Sequence, residues 1–263
     1  MKFECKLREQ WSIKSLDVGD MIERDWQKNP KDIAMLARMI SDKIGKNFYQ
    51  LPFCNTIEAE DLGAVVKYAN EESTNRVSEA ICKSADEARE LLEKTLTEKP
   101  DMGERAKALY LGIAELKKEG RPIIFNITGP ITILSYIVDM NVLIKLKRKE
   151  PEFVEKLENF VLSHLKEYIS YFKSSGVDLF SYADPVGNID ILGKRYFEKW
   201  TKPLSHKMIE IFEEAKVPVH VCGMLSCELE DSNEFNFLQG SGKLVNELPK
   251  KFKVYGKSCI QHW

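Results

Sequence analysis

A chain of 263 residues, 43% hydrophobic and 30% charged, can bury one large core and is too apolar to be disordered. Its 39 basic and 41 acidic residues nearly cancel, to a formal charge of −2, so there is no electrostatic reason to expect a nucleic-acid partner. Six cysteines are too sparse for a disulfide scaffold, no apolar run approaches the roughly 18 residues of a membrane span, and the charged start Met1-Lys-Phe-Glu-Cys-Lys6 is unlike a secretory leader. The expectation is a reducing, cytoplasmic compartment with thiols left free for chemistry.

Strand and helix patterns alternate along the chain, which predicts a parallel sheet covered by helices. Pro30 to Ile44 reads as a helix with Pro in its first turn and Gly45 as its stop. Phe48 to Cys54 reads as a short strand, and Ala64 to Ala69 as a flap or hairpin arm. Ser84-Ala-Asp-Glu87 has capping-box spacing and opens a helix to about Leu96. A second helix opens at Asp101-Met-Gly-Glu104 and stops at Gly120. Arg121 to Thr128 is the clearest buried strand, turned by Gly129-Pro130 into a helix over Ile131 to Val138. A long amphipathic helix runs from Pro151 to about Ser174 and is closed by Gly176. Val177 to Tyr182 is the next strand, Tyr196 to Ala215 a helix, and Val217 to Gly223 a further strand. Phe235 to Leu238 is a weak strand, Lys243 to Leu248 a short helix, and Phe252 to Tyr255 the last strand. One domain is expected, with residues 1–46 as an N-terminal helical segment and 47–263 as a (β/α)₈ TIM-barrel-like α/β body. About six strands read convincingly where a closed barrel needs eight. Two strands are therefore irregular, or the barrel is shortened or incompletely closed, or a partner chain completes it. Exposed apolar edges of such a barrel would favour a homo-oligomer.

Barrel active sites lie at the C-terminal ends of the strands, and polar residues recur there. They are Cys54, Asn55 and Glu58; Asn126 and Thr128; Tyr182 and Asp184; His220 and Cys222; and Lys257, Ser258 and Cys259. His220 and Cys222 stand two apart, so an extended strand points both to one face, and an imidazole beside a thiol suits Zn²⁺. Cys259, after the next clear strand, is the expected third ligand, with Cys227 and His262 as competitors; three ligands leave the open position of a catalytic site. Each residue also has a plainer explanation. A buried Cys beside a hydrogen-bonded His is common core packing, Asp184 before Pro185 can cap a turn, and Glu58 can be a first-turn helix acid. His164 and His206 read as surface or packing residues.

Leu51-Pro-Phe-Cys-Asn-Thr-Ile-Glu-Ala-Glu-Asp-Leu-Gly63, Asn126-Ile-Thr-Gly-Pro-Ile-Thr132, Asp178-Leu-Phe-Ser-Tyr-Ala-Asp-Pro185 with Gly193, and Pro218-Val-His-Val-Cys-Gly223 together resemble the uroporphyrinogen decarboxylase superfamily, in its methylcobamide:coenzyme M methyltransferase branch. The resemblance implies a (β/α)₈ barrel and a zinc ion held by a His-x-Cys pair and a distant Cys. His220 and Cys222 match the pair; Cys259 stands closer to Cys222 than the family's spacing. It also implies methyl transfer from a methyl-corrinoid on a separate corrinoid protein to a small-molecule acceptor. That acceptor is a thiol such as coenzyme M, or tetrahydrofolate. Asp184 and Glu58 would then be catalytic or positioning acids, and Asn126, Tyr182 and Cys54 would contact substrate. A metal-free decarboxylase fits less well, because the N-terminal segment has no arginine cluster and the early strand ends Phe53-Cys54-Asn55-Thr56 without an aspartate. A non-catalytic module that binds zinc or a corrinoid protein is the third alternative.

Overall fold

The computed structural model describes residues 25–68, 75–97, 101–230, 236–240, 252–260 and 263. A single turn at Trp26–Lys28 leads into α1 (Pro30–Lys43), whose first turn carries Pro30 and whose N-terminus is capped by Asn29 accepting the Lys31 amide at 3.0 Å. β1 (Tyr49–Leu51) is shorter than the expected strand, since Pro52 has no N–H to extend the ladder. α2 (Ile57–Asp61) follows, then β2 (Val66–Lys67) and β3 (Arg76–Val77), an antiparallel pair outside the main sheet where the flap was expected. α3 (Ala85–Thr97) opens on the anticipated capping box: the Glu87 amide donates to Ser84 Oγ at 3.2 Å and the Ser84 amide to Glu87 Oε2 at 3.1 Å.

α4 (Glu104–Lys117), β4 (Ile123–Thr128), α5 (Pro130–Ile137), α6 (Met140–Lys149) and α7 (Pro151–Ser175) come next. Gly176 closes α7 with φ +109°, a left-handed conformation that favours glycine. After β5 (Leu179–Ala183) come four helical pieces, of which the last three run on without a break over residues 194–214, giving the helix expected over Tyr196 to Ala215 with a π-helical turn inside it. They are α8 (Ile189–Leu192), α9 (Lys194–Tyr196), a π-helical turn at Phe197–Thr201 and α10 (Lys202–Glu214). Pro203 is the physical reason for that turn: without an N–H it cannot continue the ladder from upstream, and the turn widens around it. β6 (Val219–Val221), α11 (Gly223–Glu230), β7 (Leu238–Gln239) and β8 (Val254–Gly256) complete the description; the helix expected over Lys243 to Leu248 lies outside the described residues.

Six strands form one wholly parallel sheet in the order β1-β4-β5-β6-β8-β7. On one face Phe125, Phe180 and Tyr182 pack against α7 and α10, with Phe125 and Phe172 ring centres 4.2 Å apart and Phe180 and Phe212 5.6 Å apart. Alternation sends Ile124, Asn126, Leu179, Ser181, His220 and Tyr255 to the other face. There Phe48, Ile124, Leu179, Tyr255, Ile260 and Trp263 make a separate buried cluster, the interior of a barrel. The fold is α/β and (β/α)₈ TIM-barrel-like, with β1 and β7 as open edges of the wall among the described residues. No helix among those residues is long and apolar enough to cross a membrane.

Candidate functional site

The sheet register places Asn126, Ser181, His220 and Tyr255 side by side across β4, β5, β6 and β8. They form one row on the lumen face, near the C-terminal ends of the strands. Gln50 extends it on β1: its Nε2 donates to Asn126 Oδ1 at 2.7 Å, while Asn126 Nδ2 donates to the Pro52 carbonyl at 2.8 Å. The half-buried amide is thus satisfied on both sides. Next to it Ser181 Oγ lies 3.1 Å from His220 Nδ1, and His220 Nε2 lies 2.9 Å from the Ser258 carbonyl. A carbonyl only accepts, so the proton sits on Nε2 and Nδ1 accepts from Ser181. Burial lowers the His220 pKa to about 4 and keeps the ring neutral. Cys222 follows β6, half-buried, with its amide bonded to the Tyr182 carbonyl at 2.8 Å.

The two acids proposed for the site do a definite structural job at the junction of β4 and α5. Glu58, fully buried, accepts the Thr128 amide at 2.8 Å and its hydroxyl at 3.2 Å. Asp184 accepts the Ile131 amide at 3.0 Å, and from Thr132 the amide at 2.8 Å and the hydroxyl at 2.6 Å; the Gly187 amide is a further donor. It therefore caps α5 as well as the turn at its own Pro185, and negative charge at the helix N-terminus suits the helix dipole. A side-chain carbon on Gly129 would collide with this carboxylate. Burial pushes both acids up, against their hydrogen bonds.

Cys54 joins a different group. Its sulfur accepts from Arg105 Nη2 at 3.0 Å and Thr56 Oγ1 at 3.5 Å. Arg105 is buried, pairs with Glu60 and stacks on the Tyr68 ring at 5.1 Å, so it ties the flap to the loop after β1. Tyr136 on α5 reaches the same corner: it bonds the Asn55 side chain and feels the charges of Glu58, Cys54 and Asp184. Arg105, Tyr136, Gln50 and Ser181 were not picked out in the sequence. The first two sit on covering helices with no motif, but Gln50 and Ser181 were discoverable as polar residues within otherwise apolar strands.

One expected site residue, Tyr182, points away from the lumen. Tyr182 faces the helices, with its hydroxyl 3.2 Å from Ser205 Oγ and its ring against Phe212, because it is one residue out of phase with Ser181. Cys259 is buried beside Lys46, whose charge it influences. Among the described residues no three His, Cys, Asp or Glu side chains come together in a set able to hold a metal ion. His262, a competing ligand, lies outside the described residues.

A model of the family described as uroporphyrinogen decarboxylase (URO-D) matches residues 21–240. The chain belongs to the URO-D family. Among curated proteins it is similar to the methylcobamide:CoM methyltransferase MtaA of Methanosarcina barkeri, with 21% identity over 84% of this chain and 66% of that protein. It is also similar to the methylcobamide:CoM methyltransferase MtbA of Methanosarcina acetivorans, with 25% identity over 73% of this chain and 56% of that one. The chain thus spans less than two thirds of the length of these relatives. Among solved structures a methyltransferase from Methanosarcina mazei superposes with a TM-score of 0.67 at 20% identity, covering 90% of this chain and 73% of that one, which supports the URO-D barrel fold. The zinc ion implied by the methyltransferase branch would find the His220 imidazole on the lumen face and a thiol two residues further along the chain. Among the described residues it would find no completed three-donor set; both His220 nitrogens are engaged and Cys259 sits by Lys46.

Proposed function

We propose that this chain is a methyltransferase that moves a methyl group from a methylcobamide, carried on a corrinoid protein, to a thiol such as coenzyme M. The observation that carries it is the His220–Cys222 pair at the C-terminal end of β6, in a URO-D chain whose curated relatives bear the name methylcobamide:CoM methyltransferase. In the transfer a sulfur–carbon bond forms, the cobalt–carbon bond breaks, and cobalt keeps the electron pair. The thiol gives up its proton, which an ordinary thiol with pKa near 8.5 does only to a small extent at neutral pH.

The chain's own residues would orient the acceptor and hold its sulfur. Gln50, Asn126 and Ser181 line the approach to His220 with fixed polar groups. Arg105 and Thr56 bring two hydrogen-bond donors to one sulfur at Cys54. Glu58 and Asp184 hold the β4–α5 corner rigid and are positioning residues. His220 and Cys222 would supply two ligands to a zinc ion.

Purified protein incubated anaerobically with methylcobalamin and 2-mercaptoethanesulfonate should lose the methyl–cobalt absorbance and yield the S-methyl product. Cys222→Ser should slow this by more than the roughly 10–100-fold typical of groups that only support a ligand. Failure of the folded wild type to demethylate methylcobalamin with any thiol, or with tetrahydrofolate, would overturn the proposal. Binding of a corrinoid protein without turnover would instead favour a non-catalytic module, which the engagement of both His220 nitrogens supports.

A further inference from the structure

Among the described residues Arg105, in the first turn of α4, is the one Lys or Arg that is buried. A guanidinium carries its N–H donors in a rigid plane, and in the interior each of them needs an acceptor. Here the parts of the group are used differently. Nη1 pairs with Glu60, which fixes the orientation of the plane. The Tyr68 ring covers a face, with its centre 5.1 Å away, and leaves the edges clear. The remaining edge carries Nε and Nη2, the parallel pair of donors with which arginine grips a planar oxyanion at two points. On this edge, among the described residues, Nη2 meets the Cys54 sulfur at 3.0 Å, a weak acceptor, and the buried Nε finds no acceptor. An unmatched buried donor on a charged group is costly, and a fold keeps one where something other than packing is to use it.

The place of this edge ties it to the barrel mouth. Cys54 follows β1 at the C-terminal end of the strand, two residues after Pro52, whose carbonyl accepts from Asn126 of the lumen row at 2.8 Å. Thr56 Oγ1 donates to the same sulfur at 3.5 Å, and Asn55, between the two, bonds the Tyr136 side chain. The sulfur therefore stands where an oxygen of a ligand would receive Arg105 and Thr56 together. Cys54 is half-buried, and a turn about its Cα–Cβ bond would clear that place.

We infer that the Nε–Nη2 edge of Arg105 is an anchor for the oxyanion group of a small ligand, a sulfonate or carboxylate, for which the Cys54 sulfur is the stand-in. The inference does not depend on the role given to His220 and Cys222.

NMR titration of the whole chain with ethanesulfonate, propionate and the neutral propionamide tests this without any turnover. The two anions should bind and propionamide should not. Arg105→Lys keeps the charge but loses the fork, and should weaken both anions about tenfold or more, the loss of one charge-assisted hydrogen bond. Cys54→Ala removes the sulfur that the ligand displaces and should tighten both anions several-fold. It leaves the Arg105–Glu60 pair in place, so it remains informative if Arg105→Lys misfolds. Propionamide binding as tightly as propionate, or anion affinities unchanged in both variants, would overturn the inference. Weaker binding in Cys54→Ala would also overturn it, because the sulfur would then be part of the site and not its stand-in. Anion binding that is lost in Arg105→Lys, in a folded protein that methylates no thiol, would uphold the inference and overturn the methyl-transfer reading alone.

Discussion

Asp184 and Glu58 are both buried carboxylates with raised pKa, yet their surroundings predict opposite tolerance to the corresponding amide. Asp184 receives backbone N–H donors on both oxygens, from Thr132 on Oδ1 and Ile131 on Oδ2. Whichever way an asparagine amide is turned, its NH₂ meets a fixed donor, and the orphaned amide costs about 1–3 kcal/mol. Asp184→Asn should therefore lower the free energy of unfolding by that amount in urea titration. Glu58 meets fixed donors in the Thr128 amide on Oε1 and its own backbone amide, but also one rotatable hydroxyl on Oε2. A glutamine can keep the first bond and donate to the turned hydroxyl in the second. Glu58→Gln should change stability by no more than about 0.5 kcal/mol. Equal losses in the two variants would show that burial, not donor geometry, governs these acids.

α2 is one and a half turns long, yet each of its acids has a separate partner. Glu58 holds Thr128, Glu60 pairs with Arg105 of α4, and Asp61 accepts from Tyr168 of α7 at 3.0 Å and from the Gly103 amide. His164 of α7 adds a bond to the Glu58 backbone. Burial raises Asp61 to about 7 and lowers His164 to about 4. The signs are opposed. Asp61 is folded more readily when protonated, so its contribution is full below about pH 4, declines as pH rises and is lost through pH 7. His164 is folded more readily when neutral, so its contribution is full above about pH 6.5 and is lost as pH falls towards 4. Asp61→Asn can keep both hydrogen bonds without the charge. The stability of this variant relative to wild type should therefore climb between pH 4 and 7 and level off above, as measured by urea denaturation across that range. A flat difference would mean that Asp61 ionises normally in the fold. From the sequence α2 could be read only as a helix start with acids in its first turn. Arg105, Thr128 and Tyr168 lie 45 to 107 residues away on β4 and covering helices, and helical periodicity reports that such a face is buried but not what it touches. For the same reason His164, read as a surface or packing residue, proved to be a buried polar one.

The parallel α/β architecture was legible because it rests on local signals: capping boxes, Gly stops and apolar runs recover the helices and strands within a few residues. Strand alternation likewise put His220 in the lumen row beside Ser181. It could have excluded Tyr182, which is out of step with Ser181 by one. The path of the chain after β8 was not legible, since a short segment of mixed residues has no period, and Cys259 was assigned to the metal on order along the chain alone. That path matters to the whole molecule. The described strands leave β1 and β7 at opposite edges of the wall, so hydrogen bonds do not join β1 to β8. What spans the interior is the cluster of Phe48, Ile124, Leu179, Tyr255, Ile260 and Trp263, together with the bond from Lys46 to the Trp263 carbonyl. Leu179, fully buried on β5 near the middle of the sheet, belongs to that cluster. Leu179→Ala should cost about 2–5 kcal/mol, because the removed methyls leave a cavity that the rigid β5 backbone cannot collapse to fill. Local exchange gives a sharper test. Strands β4 and β5 are also clamped from outside by Phe125, Phe172, Phe180 and Phe212, whereas β8 depends on the interior cluster and its short ladders to β6 and β7. Amide exchange in Leu179→Ala should therefore accelerate more over Val254–Gly256 than over Ile123–Thr128. Uniform acceleration would mean that the interior cluster shares one cooperative core with the helices, and that the lumen does not hold the two sides of the barrel together on its own.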